Sequence, residues 1–139
     1  MNWVLWSLLS AIFAAATAIL AKIGVAHIDS NLATAIRTTV VVVFAWTIAI
    51  ALGKHGEIRQ VDNQAWLFLT LSGLATGLSW LCYFRALQLG PASRVAPIDK
   101  LSVVLVIIFA AIFLKEKISP LAIAGGFMIA AGAVAMVFA

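Results

Sequence analysis

Nineteen consecutive residues without a charge, Trp3 to Ala21, stand at the start of this sequence. At 1.5 Å per residue such a run makes a helix of ~28 Å, the thickness of the hydrocarbon core of a bilayer. Comparable apolar runs follow to the C-terminus, and the charges are bunched between them. Only 10% of the residues are charged and 65% are hydrophobic, where a soluble domain carries ~25% charged residues. With a mean hydropathy of +1.15, the chain has too little polar surface for water. The expected fold is an all-α membrane protein of five transmembrane helices.

The spans are expected at about 3–21, 32–52, 65–85, 95–114 and 121–138, within a single domain over residues 1–139. Two of them are completed only by taking in charge. The uncharged run after Arg37 covers Thr38 to Gly53, so the second span must reach back to Leu32 and enclose Arg37. A polar hairpin, Lys54 to Gln64, follows. The third span opens with Trp66 at interfacial depth and closes on Tyr83, Phe84 and Arg85. Leu89-Gly90-Pro91-Ala92-Ser93 reads as a tight turn between antiparallel helices. The uncharged stretch of the fourth span, Leu101 to Leu114, is only fourteen residues. To cross, it must recruit Pro97, Ile98, Asp99 and Lys100. Lys115 to Pro120 ends it, and a charge-free fifth span runs from Leu121.

Several function classes are excluded on this basis. The formal charge is +4, but the basic residues lie at the ends of apolar segments instead of in a stripe. They encode orientation in a bilayer and not nucleic-acid binding. Cys82 is the one cysteine and His27 and His55 are isolated, so no metal site, disulfide or cofactor is expected. No nucleophile with a base and no paired carboxylates can be assembled, which argues against an enzyme. Met1-Asn2-Trp3 has no basic region, and the first apolar run is as long as a span, so that segment is expected to stay in the membrane.

Candidate substrate-binding residues gather toward one face of the membrane, at the ends of odd helices and the starts of even ones. They are Lys22, Arg37, Arg85, Asp99 and Lys100, with Arg94 on the same face. Ionisable groups at membrane depth cost ~2.5–3.5 kcal/mol each on insertion scales and face the bundle interior or water. Their concentration implies a hydrated vestibule. Asp99 and Lys100 are about 100° apart on a helix, so each is expected to need its own partner. Asp99 shares a face with Ser102 and would pair with Arg85, Arg37 or Lys22. In the alternative reading Pro97 is the first helical residue. Asp99 then sits in the first turn, Lys100 snorkels, and Ala92 to Ala96 is non-helical. Arg37 and Arg85 suit bidentate binding of a carboxylate or interfacial anchoring. Trp80 and Tyr83 would line a pocket beside Arg85 or belong to an aromatic belt.

Small residues form a second pattern. Gly73 and Gly77 make a GxxxG pair, and Ala122, Gly126 and Ala130 place a small residue at every fourth position of the fifth span. Such spacing lets helix backbones approach closely in lipid, so these five residues are expected at a helix–helix interface. Loop charge gives no orientation. Lys54, Arg59, Lys115 and Lys117 on one face stand against Lys22, Arg37, Arg85 and Arg94 on the other, four against four before Lys100 is counted with the second group. A balanced chain with an odd number of crossings is what a dual-topology protein shows, and an antiparallel homodimer is expected.

The stretch Tyr83-Phe84-Arg85-Ala86-Leu87-Gln88-Leu89-Gly90-Pro91-Ala92-Ser93-Arg94-Val95-Ala96-Pro97-Ile98 is followed by Leu101-Ser102-Val103 and by Phe113-Leu114-Lys115-Glu116. Together they resemble the signature of the EamA-type drug/metabolite transporter superfamily, and Arg37 is similar to that pattern too. Members typically have ten helices in two inverted five-helix repeats and export small metabolites. This chain resembles the shorter group with a single repeat, the bacterial/archaeal transporters. Where members commonly have glycine before the glutamate, it has Lys115. The resemblance implies a multi-pass inner-membrane exporter of a small polar metabolite, with the lipid bilayer, a second copy and a small-molecule substrate as partners and no nucleic acid. Alternatives are a non-transporting membrane subunit or scaffold, and proton-coupled multidrug efflux. The latter family carries a membrane glutamate in its first helix, which Trp3 to Ala21 lacks.

Overall fold

A computed structural model describes residues 2–138. Among them the chain forms α1 (Trp3–Gly24), α2 (Ser30–Ala51), a 3₁₀ helix (Lys54–Gln60), α3 (Asn63–Leu89), α4 (Ala92–Asp99), α5 (Ser102–Phe113) and α6 (Pro120–Phe138). Five helical stretches are long and apolar enough to cross a membrane, with Ala92–Phe113 counting as one. The molecule is an all-helical membrane protein, as the charge-free runs imply.

Helix ends follow local chemistry more than hydropathy. Asp29, with φ −60° and ψ 138°, caps α2, its carboxylate accepting from the backbone N–H of Asn31 and Leu32. The Asn31 bond is 2.8 Å, and a cap of this kind contributes about 0.5–2 kcal/mol. It starts the helix two residues before the expected 32 and places Arg37 well inside it. Thr34, Thr38, Thr39 and Thr47 each donate to the carbonyl four residues back, at 2.8–3.0 Å. Their hydroxyls are thereby satisfied without water, which lipid requires. Asp62 accepts from Ala65 N–H at 3.1 Å at the start of α3, and that helix continues four residues beyond the expected 85.

The fourth span corrects the reading in which Pro97 is the first helical residue and Ala92 to Ala96 is irregular. Pro91, with φ −68° and ψ 140°, is the cap; α4 begins at Ala92, and Pro97 is inside the helix. Extended backbone at Pro91 already supplies the entry, so no further irregular residues are needed. Pro97 lacks an N–H and disturbs the turn around it, and α4 stops two residues later. Asp99 therefore ends a helix instead of starting one. Through the interruption Lys100, Leu101, Val103 and Val104 donate to Pro97, Ile98, Lys100 and Leu101 at 2.9–3.1 Å. Those three-residue bonds are of 3₁₀ type and keep the backbone paired inside the span.

The chain divides into two compact parts, one from Ala21 to Gln88 and one made of the segments up to Leu20 and from Leu89 onward. In the first, Val25, Ala33, Phe84 and Leu87 are buried. In the second, α6 packs against both α4 and α5. A methyl added at Gly126 would lie 3.0 Å from Ile107 Cδ1, so glycine sets that helix separation. No span is more than 11% buried, and the apolar remainder suits a bilayer. Lys115, just past α5, has φ 54°, the left-handed region where a helix-terminating glycine is usual.

Candidate functional site

Within the Ala21–Gln88 part, polar side chains converge where the end of α1, the start of α2 and the end of α3 come together. Trp80 and Phe84 are one turn apart on α3 and share a face. Over that face lies the Arg37 guanidinium, its central carbon 4.0 Å from the Trp80 ring centroid and 5.6 Å from that of Phe84. A cation on an aromatic face is worth about 0.5–2 kcal/mol, more as water is removed. Arg37 and Trp80 are half-buried, and no protein acceptor among the described residues takes the Arg37 N–H groups.

Below this stack the helix ends are bound to one another. Lys22 Nζ donates to the carbonyl of Leu87. That carbonyl is among the last four of α3, which have no partner inside the helix, and a cation there complements the helix dipole. Gln88 Nε2 donates to the carbonyls of Ile28 at 2.6 Å and Val25 at 3.3 Å, both in the turn between α1 and α2. Gln88 Oε1 accepts from Arg85 Nη1 at 3.0 Å. Every capacity of the amide facing the protein is used, so Arg85 orients Gln88 and Gln88 closes the α1–α2 turn. Val25 and Leu87 are 1% and 0% exposed at the centre of this junction.

Of the eight candidate binding residues, Lys22, Arg37, Trp80, Tyr83 and Arg85 thus lie in one part of the chain. Gln88 and Phe84 belong with them and received no role from the sequence. A glutamine one turn after an arginine in an otherwise apolar helix was the available signal for the first. Trp80 one turn before Phe84 was the signal for the second.

Asp99, Lys100 and Ser102 lie in the other part. Asp99 Oδ2 and Lys100 Nζ are 3.4 Å apart, with side chains 38% and 56% exposed. This corrects the expectation that neighbours 100° apart must each find a separate partner. Lys100 closes α4 where regular helix gives way, and its four-carbon stem curls back along the adjacent residue. The contact also places a cation beside a carboxylate at a helix C-terminus, where the dipole disfavours negative charge. Ser102 is exposed at the first position of α5.

The five small residues divide in the same way. Gly126 is buried against α5 and Ala130 is half-buried in a groove, while Ala122 is exposed. A methyl at Gly73 or Gly77 would meet nothing within 4 Å in this chain. The groove between α5 and α6 has a volume of about 500 Å³ and is lined by Ile107, Ile108, Ala111, Ile112, Gly126 and Phe127 among other apolar residues. It offers nothing to a polar solute. Among the described residues no group of three or more His, Cys, Asp or Glu side chains is arranged to hold a metal.

Residues 1–138 match the EamA-like transporter family. A protein of Sinorhizobium sp described as an uncharacterized transporter in the cobO 3' region is 54% identical over 132 residues, which cover 95% of this chain and 94% of that protein. No solved structure matches.

Proposed function

Starting from the fact that the chain belongs to the EamA-like transporter family, and is a transporter and not an enzyme, we propose that it is a secondary exporter of a small polar metabolite, working as an antiparallel homodimer in the inner membrane. The observation that carries the reading is the junction at the α1, α2 and α3 ends. It holds three cations at the ends of membrane-spanning helices, and one of them, Arg37, has donors to spare. A purely structural arginine in a span pairs with protein groups; one kept on an aromatic face beside uncommitted donors is suited to a solute.

The homodimer rests on three independent observations. Five crossings correspond to half of an inverted-repeat transporter, the nine basic residues divide nearly evenly, four against five, between the two faces, and Gly73 and Gly77 are open in the single chain. Inverted repeats build alternating access around a site at their interface.

Reconstitution into liposomes tests transport: counterflow of amino acids and organic acids is expected to show saturable flux of at least one solute. Paired reporters fused to the C-terminus test the assembly. Signal from both sides of the membrane is expected, and one fixed orientation in all molecules overturns the dual-topology homodimer.

A further inference from the structure

Arg37 is the eighth residue of α2, roughly 10 Å along the helix axis from its first residue. A charge carried into a span is costly to insert, and stacking on aromatic rings returns only part of that cost. The remainder needs a counter-charge or water. The carboxylates of this part of the chain are otherwise engaged: Asp29 caps α2, Glu57 pairs with Lys54 at 2.6 Å and Asp62 caps the start of α3. Lys22 and Arg85 add positive charge near the same helix ends, and each gives a donor to the protein, Lys22 to the Leu87 carbonyl and Arg85 Nη1 to Gln88 Oε1.

The geometry of the stack decides what Arg37 can take. Its flat face is covered by Trp80, with Phe84 further along. With that face occupied, the edge of the guanidinium still carries parallel N–H groups spaced to meet two oxygens of one carboxylate or phosphate. Stacking also fixes the plane of the group beforehand, which lowers the ordering cost of binding.

We infer that Arg37, held by Trp80, is an oxyanion-binding residue that receives the carboxylate or phosphate of the transported solute. The inference rests on the exporter reading and narrows it to anionic and zwitterionic solutes. Lys22 and Arg85 bias the surroundings toward anions without touching the ligand, and Arg85 acts through Gln88.

The test uses the full chain in phosphatidylcholine nanodiscs with Trp3, Trp6, Trp46 and Trp66 changed to Phe, so that Trp80 is the single tryptophan emitter. Succinate, pyruvate, L-alanine and inorganic phosphate are titrated at constant ionic strength against chloride, with succinamide and L-alaninamide as amide controls. A saturable change in Trp80 emission with at least one oxyanion, absent with chloride and with the amides, is expected. Arg37→Lys keeps the charge and is expected to weaken that response about tenfold or more by losing the planar fork, while Arg37→Gln removes it. A second set of discs containing phosphatidylglycerol separates the two sources of oxyanion. A lipid-dependent shift that soluble anions do not compete away assigns the group to a headgroup and overturns the solute assignment.

Silence of Trp80 toward every oxyanion overturns the inference, even if either variant fails to fold. So does an Arg37→Gln response equal to that of the parent. Parallel flux measurements keep the two failures apart. Transport of neutral or cationic solutes alone, with Trp80 silent, sinks the oxyanion site and leaves the exporter standing. A Trp80 response without flux of any solute sinks the exporter and leaves the site.

Discussion

The two compact parts of this protein hold their helices by different means. In the part from Ala21 to Gln88, side chains reach for backbone carbonyls left over at helix ends: Lys22 to Leu87, and Gln88 to Val25 and Ile28. In the other part, α6 meets α5 through a missing side chain, Gly126 under Ile107. Lipid explains why both solutions exist. Apolar surface gains little by leaving acyl chains, so helices associate there through close packing or hydrogen bonds instead of a hydrophobic drive. The bonded part concentrates charge and donors. The packed part is lined by apolar side chains at the α5–α6 groove, and the close ion pair it shows among the described residues, Asp99 with Lys100, is half exposed. Charge in the first part is gathered beside buried helix ends, whereas in the second it lies exposed at Arg94 and Lys100, half-exposed at Asp99, and past the end of α5.

The sharpest way to break this contrast is to attack the apolar centre of the bonded part. Leu87→Ala removes a fully buried side chain and is expected to cost about 2–5 kcal/mol, read as a lowered unfolding midpoint in detergent. Gln88→Leu deletes the donors to two turn carbonyls at similar volume. It should cost about 1–3 kcal/mol and raise hydrogen exchange at the α1–α2 turn while leaving α6 protected. Equal loss of protection in both would show that the parts are not separable. In the packed part, Gly126→Val should destabilise by about 1–3 kcal/mol through overpacking, with most of the loss recovered by Ile107→Ala in the same chain. Failure of that rescue would place the role of the glycine elsewhere. Smallest and of opposite sign, Lys115→Gly should raise the midpoint by about 1 kcal/mol equivalent, because φ 54° is free of strain for glycine only.

Hydropathy made the five spans and the inclusion of Arg37 in α2 legible, because both follow from a length requirement that lipid imposes on any chain. Ends were less legible. Asp29 extended α2 backward through a cap, and α3 ran on past Arg85 because nothing before Gly90 stops a helix. Arg37, Trp80 and Tyr83 could be singled out as residue types in a membrane span. That Arg37 sits on Trp80 depends on how two helices face each other, which no local pattern encodes. The same holds for Lys22 and Gln88, whose partners lie 65 and 60 to 63 residues away in sequence. The interruption after Asp99 was hidden for another reason: proline suits the first turn of a helix and also marks breaks inside one, and the residues around Pro97 fit either. Lys115 shows a substitution that keeps a backbone shape made for glycine, so the turn persists where its usual residue does not.

The short 3₁₀ passage at Lys100 and Leu101 has a geometric consequence for the fourth span. A 3₁₀ residue advances about 2.0 Å and turns about 120°, where an α residue advances about 1.5 Å and turns about 100°. Rewinding two residues from one pitch to the other therefore shortens the span by about 1 Å and rotates everything beyond it by about 40°, while the number of hydrogen bonds stays nearly constant. Length and helical phase of the fourth span are thus tied to one another at these two residues, so that a change in winding there would alter both at once.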